Sequence, residues 1–129
     1  MSELSGFFAF NFDEGVASIS VTPNGLTFNK SVAMKLDFPA YAVLLMNPDA
    51  KQIALQACDE STPRAIPFYK AQEKSNAARS VRWNHKDLLN YLSEMMGWNL
   101  HEMSYRVDGK LLPHEHAILF DLSKAKEMG

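Results

Sequence analysis

The residues best placed to do chemistry in this chain are basic. Arg64, Lys70, Lys74, Arg79, Arg82 and Lys86 fall between residues 64 and 86, against Glu73 alone. Lysine and arginine at that density neutralise phosphates, and each neutralised phosphate releases condensed counterions. His85 sits among them, and Trp83 beside Arg82 offers a ring on which a base can stack. The rival use of Trp83 is structural, because strand alternation would turn Trp83 inward and leave Arg82 outward. The cluster could equally be a solvated connection between acidic flanks. Residues 1–63 carry three Lys/Arg against seven Asp/Glu, and residues 87–129 carry four against seven. The formal net charge of −2 excludes a uniformly basic surface.

Other reactive groups are few. His114-Glu115-His116 is a compact cluster. On a strand, two histidines two residues apart share a face and can take two positions on a metal. A third ligand would have to come from His101, His85 or an acid elsewhere, and the other reading is a polar loop after Pro113. Cys58 precedes Asp59-Glu60, the opposite of the electropositive surroundings a reactive cysteine needs. A lone cysteine forms no internal disulfide and fits a reducing cytoplasm. The sequence contains no GxSxG, HExxH, P-loop or GxGxxG motif. The expectation is no catalytic residue, no metal and no cofactor.

These residues must be positioned by an ordinary globular fold. The chain has 129 residues, 47% hydrophobic and 22% charged, which suits one compact domain or two small intertwined ones. "VASISV" alternates as a strand, and "TPNG" is a turn that closes a hairpin onto "LTF". Asn29 or Ser31 can cap a short helix over "SVAMKLDF", which ends before Pro39. "YAVLLM" and "QIALQAC" read as paired strands. Residues 59–80 read as a connection with a brief strand around "AIPFY". "SVRW" reads as a strand, and "NHKDLLNYLSEMMGW" is the strongest helix, with Leu88, Leu92, Met95 and Met96 on one face and Gly97 as its terminator. Asp-Gly in "MSYRVDGKLL" predicts a hairpin. "AILFDL" is a last buried strand and "SKAKEMG" a fraying tail.

Two stretches look alike. "LTFNK" and "VRWNH" align Phe28 with Trp83, Asn29 with Asn84 and Lys30 with His85, and both lead into helix, strand, turn and strand. The expected fold class is therefore α+β, with two β-α-β-β units packed as a pseudo-two-fold, barrel-like single domain. One such unit is too small to hold a core alone, so each covers the other. The division is 1–58 for an N-terminal strand plus the first unit, 59–80 for the basic connecting segment, and 81–129 for the second unit. Phe8, Phe10 and Phe12 alternate near the N-terminus. A lone strand cannot bury three such rings, so a homo-oligomer formed through this Phe-rich strand is one expectation.

"NGLTFNKSVAMKLDFPAYAVLLMNPDAKQIALQ" resembles the swapped-hairpin unit of AbrB/SpoVT-type transcription regulators, and the tandem arrangement is similar to that of MraZ proteins. "LTFNK" stands for the strand and helix start, "VAMKLDF" for the helix and "YAVLLMNPDAKQIAL" for the hairpin. The resemblance covers residues 19–57 and, more loosely, 81–122. Asn29 replaces the family's usual proline, and "SISVTPNG" lacks the family's basic residues. The resemblance implies double-stranded DNA as partner, with Lys30, Arg82, His85 and Lys86 in the positions of the family's basic character. The functional expectation is a small cytoplasmic DNA-binding transcription regulator using Lys30, Arg64, Lys70, Lys74, Arg79, Arg82, His85 and Lys86. The alternative is a non-enzymatic protein-interaction or oligomerisation module without nucleic acid. No stretch approaches the roughly 18 apolar residues of a membrane span.

Overall fold

The computed structural model describes residues 3–6, 15–70 and 80–128. The Phe-rich stretch 7–12, Lys74 and Arg79 lie outside the described residues. The described residues fold as a mostly antiparallel sheet that curls into a half-barrel, with two α-helices. No helix among the described residues is long and apolar enough to cross a membrane.

The first hairpin joins β1 (Ser18–Thr22) to β2 (Gly25–Phe28) through the expected turn. Ala17, Ile19 and Val21 are buried on one face, as their alternation requires. Helix α1 (Lys30–Lys35) follows directly, capped by Asn29. It buries Val32 and Ala33, then ends through Asp37 and Phe38, both at positive φ. The Phe38 amide donates to the Ala33 carbonyl at 2.8 Å, and its ring lies 5.0 Å from that of Tyr69.

Strands β3 (Tyr41–Asn47) and β4 (Gln52–Cys58) pair along their full length. The brief strand foreseen in the connection is β5 (Ile66–Pro67), which among the described residues pairs only with the start of β3. Strand β6 (Val81–Trp83) pairs with β2 and leads into α2 (Lys86–Met96). Leu89 and Leu92 of α2 are buried, and Leu88, Met95 and Met96 pack partly buried beside them. Gly97 closes the helix in the left-handed conformation at φ 69°, a geometry glycine adopts without penalty. The Lys51 ammonium donates to the Met95 carbonyl at 2.9 Å, placing a cation at the negative end of α2.

Strand β7 (Ser104–Leu112) corrects the hairpin expected at Asp-Gly. It runs straight through Asp108-Gly109 and changes partner there. Tyr105–Asp108 pair with β1, and Gly109–Leu112 pair with β8 (Ala117–Asp121). The Gly109 amide donates to the Ala17 carbonyl at 2.7 Å. A Cβ on Gly109 would stand 2.5 Å from Ile118 Cγ2 and 2.6 Å from Phe120 Cε1. The glycine is needed for close approach, not for a turn. Local turn preference loses because both halves of the strand find long-range ladder partners bearing buried side chains.

The C-terminus is a second correction. Instead of fraying, Leu122–Lys124 form a 3-10 turn and β9 (Lys126–Met128) pairs with the first residues of β7. The strand order is β5-β3-β4-β8-β7-β1-β2-β6. Phe28, Phe120, Ile19, Leu26, Ile53, Leu55 and Leu92 fill the interior, each worth about 1.5–3 kcal/mol of burial.

Candidate functional site

Two features stand out on the surface, and both involve β6. The first is the β2–β6 ribbon. Leu26 faces Trp83, Thr27 faces Arg82 and Phe28 faces Val81. Alternation turns Trp83 toward the core, where it packs 4.9 Å from Phe28 and 5.9 Å from Phe68. Arg82 is left exposed at the middle of the ribbon. Because the pair is antiparallel, α1 and α2 start from its opposite ends. Lys30 therefore stands beyond one end of the ribbon and His85 with Lys86 beyond the other, all exposed.

Gly25 lets Arg82 lie there. A Cβ at this position would stand 2.9 Å from the Trp83 carbonyl and 3.1 Å from Arg82 Cγ, and its φ of +148° is one that L residues rarely adopt. The two helix starts use different caps. Asn29 Oδ1 accepts from Val32 N at 3.2 Å and Ser18 N at 3.1 Å. Its Nδ2 donates to the Val16 carbonyl and to Ser18 Oγ. Asn84, its counterpart in the aligned stretches, does not cap α2. His85 does, with Nδ1 accepting from Leu88 N at 3.3 Å.

The second feature is a groove of about 590 Å³ between β6, α2, β3 and β5. Leu44 and Met46 of β3, Ile66 of β5, Trp83 of β6, and Leu88 and Tyr91 of α2 form its apolar lining. Arg82, Asn84, His85 and Asp87 complete the lining. Ile66 is 40% and Tyr91 46% exposed. Ladders flank β1 on both edges, with β2 and β7, whereas β6 pairs with β2 alone among the described residues. Across the groove, β5 pairs with β3 alone among the described residues. Among the described residues, the groove is thus the open seam of the half-barrel. The indole Nε1 of Trp83 is buried without a hydrogen-bond partner among the described residues.

Lys30, Arg82, His85 and Lys86 belong to the ribbon. Arg64 and Lys70 are exposed, before and after β5 in sequence, and neither lines the groove. None of these six takes part in an ion pair among the described residues, where Arg106–Asp108 at 3.6 Å is the one such contact. Lys74 and Arg79 lie outside the described residues.

His114 and Glu115 lie on a 3-10 turn (Pro113–Glu115), and His116 follows at φ 50°. They are not on a strand, so the shared face expected of the two histidines does not arise. Among the described residues no group of three or more His, Cys, Asp or Glu side chains comes close enough to hold a metal. A smaller cleft of about 390 Å³ lies between α2, Pro23 and the segment from Trp98 to His101. Trp98 stacks on Tyr105 at 4.2 Å beside it. Sequence reasoning missed the groove. Its only trace is the polar run that follows β5, which offers β6 no apolar strand to lie beside it.

No family model, curated protein or solved structure matches the chain.

Proposed function

We propose that this chain is a small non-enzymatic oligomerisation module, built from two β-α-β-β units and completed at its open seam by a strand from a partner. The observation that carries this reading is the edge of β6, unpaired among the described residues, beside an apolar groove. Exposed strand edges next to apolar surface are templates for strand addition. The pseudo-two-fold rests on the strand order. β2 lies beside β6, β4 beside β8, β1 beside β7 and β5 beside β3. Exchanging β1 with β5, β3 with β7 and β4 with β8 reproduces the order from β5 to β1 in reverse. The single cysteine keeps the cytoplasm as the proposed compartment.

Sedimentation of the chain across about a hundredfold range of concentration tests the reading, because self-association is concentration-dependent. The expected result is a dimer that Ile66→Glu weakens. A chain that stays monomeric, or a dimer indifferent to Ile66→Glu, would sink it.

A second reading, the DNA-binding regulator, draws on the ribbon. Arg82 lies between Lys30 at one end and Lys86 at the other, none of them in an ion pair among the described residues. This spacing, with the resemblance to AbrB/SpoVT-type regulators, supports contact with a phosphate backbone. Binding to mixed-sequence duplex at low salt tests it. Arg82→Ala and Lys86→Ala should each lower the slope of log K against log salt by about 0.9. No binding at low salt, where the phosphate attraction is strongest, would end this reading.

A further inference from the structure

The cleft of about 390 Å³ between α2 and the segment from Trp98 to His101 shares no described residue with the seam groove. Its α2 side is a single stripe. Lys86, Leu89, Asn90 and Ser93 recur at spacings of three and four residues, which places them along one side of the helix. Trp98, Leu100 and His101 supply the lining from the segment that follows the helix. Leu89 and Leu100 are buried, so they give the cleft aliphatic surface, and the Trp98 indole gives it a flat one.

The segment after α2 is held in place by the protein's own bonds. The Trp98 amide donates to the Ser93 carbonyl at 2.9 Å. The Trp98 ring stacks on Tyr105, with centroids 4.2 Å apart and planes within 10° of parallel. Asn99 pins the turn that follows. Its Oδ1 accepts from the His101 amide at 3.1 Å, and its carbonyl accepts from the Glu102 and Met103 amides. Small-molecule sites are commonly preformed in this way, and the volume lies within their usual range of roughly 300–1,000 Å³.

The polar side chains of the cleft are uncommitted. Those of Lys86, Asn90, Ser93 and His101 make no hydrogen bond or ion pair among the described residues. Asp87, Glu94 and Glu102 are close in sequence, yet no carboxylate lines the cleft among the described residues. An ammonium, an imidazole, an amide and a hydroxyl, each able to donate, thus stand beside aliphatic and indole surface. A cation would be repelled by Lys86, and a purely apolar molecule would desolvate these donors without pairing them. An anion on a flat hydrocarbon body satisfies both halves of the lining. We propose that this cleft binds a small organic anion, an aromatic ring bearing a carboxylate or a phosphate. The anionic group faces Lys86 and His101, and the ring lies against Trp98 and Leu100. No seam residue takes part, so the proposal stands independently of the oligomerisation reading.

The test titrates benzoate and phenyl phosphate separately into the isotope-labelled full chain and follows its amide and indole N–H resonances by NMR. Saturable shifts are expected at Asn90, Ser93, Leu100 and the Trp98 indole, with a Kd on the order of 1 mM for so small a ring. The tighter of the two probes identifies the anionic group. Lys86→Gln and His101→Gln, both at exposed positions, should each weaken binding about fivefold, the worth of one solvent-screened contact. Resonances remote from the cleft should stay unchanged in both variants, which verifies that they fold. Benzamide has the ring without the charge, and inorganic phosphate and acetate have the charge without the ring. All three should bind at least about tenfold more weakly. Absence of saturable shifts with both ring-bearing probes would overturn the proposal. Inorganic phosphate binding as tightly as phenyl phosphate would reduce the cleft to an adventitious anion contact and overturn it equally. Binding of benzoate or phenyl phosphate that ignores both variants would remove the assigned anion contacts.

Discussion

Phe28 and Trp83 meet edge to face, with ring centroids 4.9 Å apart and planes at 75°. They are the two aromatic residues that align when "LTFNK" is laid over "VRWNH". The two look-alike segments lie side by side, and their matching rings touch. Phe28 is fully buried and also contacts Phe68 and Phe120, whereas Trp83 is half-buried at the seam. Phe28→Ala is expected to cost about 3–5 kcal/mol, the usual range for a truncated core ring. Trp83→Phe keeps a ring against Phe28 and removes an indole N–H that has no partner among the described residues, so its cost should stay below about 1 kcal/mol. Urea denaturation of both variants checks the contrast. A Trp83→Phe loss as large as that of Phe28→Ala would refute it.

The two helix caps should differ in weight. Asn29 holds the start of α1 and also ties β1 to it through Val16 and Ser18. His85 makes a single capping bond to Leu88. Asn29→Ala is expected to cost about 2–3 kcal/mol, a cap of about 1 kcal/mol plus the cross-strand bonds. His85→Ala should cost about 0.5–1 kcal/mol. Thermal melts rank the pair, and equal losses would contradict the assignment.

Gly109→Ala places a methyl group against Ile118 and Phe120 at distances that force a shift. The expected loss is about 1–3 kcal/mol, the range for overpacking. If Asp-Gly formed a hairpin turn instead, the closest packing at this position would be absent and chemical denaturation would register little change.

Asp121 supplies a pH dependence with a definite sign. The Ser123 side chain and amide donate to its carboxylate at 2.6 and 3.1 Å, and these bonds, with nearby Lys124, hold its pKa below the usual carboxylate value. A depressed folded-state pKa adds stability above the unfolded-state value of about 3.9. That contribution fades as pH falls through the folded value. Asp121→Asn should therefore flatten the acid limb of the stability curve while leaving its neutral-to-basic side parallel to wild type. Denaturation midpoints measured at a series of pH values test this, and an unchanged acid limb would rule it out.

Much of the local architecture is legible in the residues themselves. The alternation of Ala17, Ile19 and Val21, the TPNG turn, the cap at Asn29, the apolar face of α2 and its stop at Gly97 are decided within a few neighbours. Short-range preference and burial agree there, so the pattern suffices. Tertiary structure decided the rest wherever a long-range partner outweighed a local signal. Asp108-Gly109 carries a strong hairpin signal, yet β1 and β8 claim the two halves of its strand. The tail beyond Asp121 has no apolar pattern of its own, but the edge of β7 gives it a ladder. His85 displaced Asn84 as the cap of α2, a one-residue shift that propensity does not resolve. The groove was invisible for the same reason. Its walls come from β3, β5, β6 and α2, segments separated in sequence, and it exists because β5 stops after two residues while one edge of β6 has no ladder among the described residues. A linear pattern records which side chains are apolar, whereas only the pairing of strands records which of them were left uncovered.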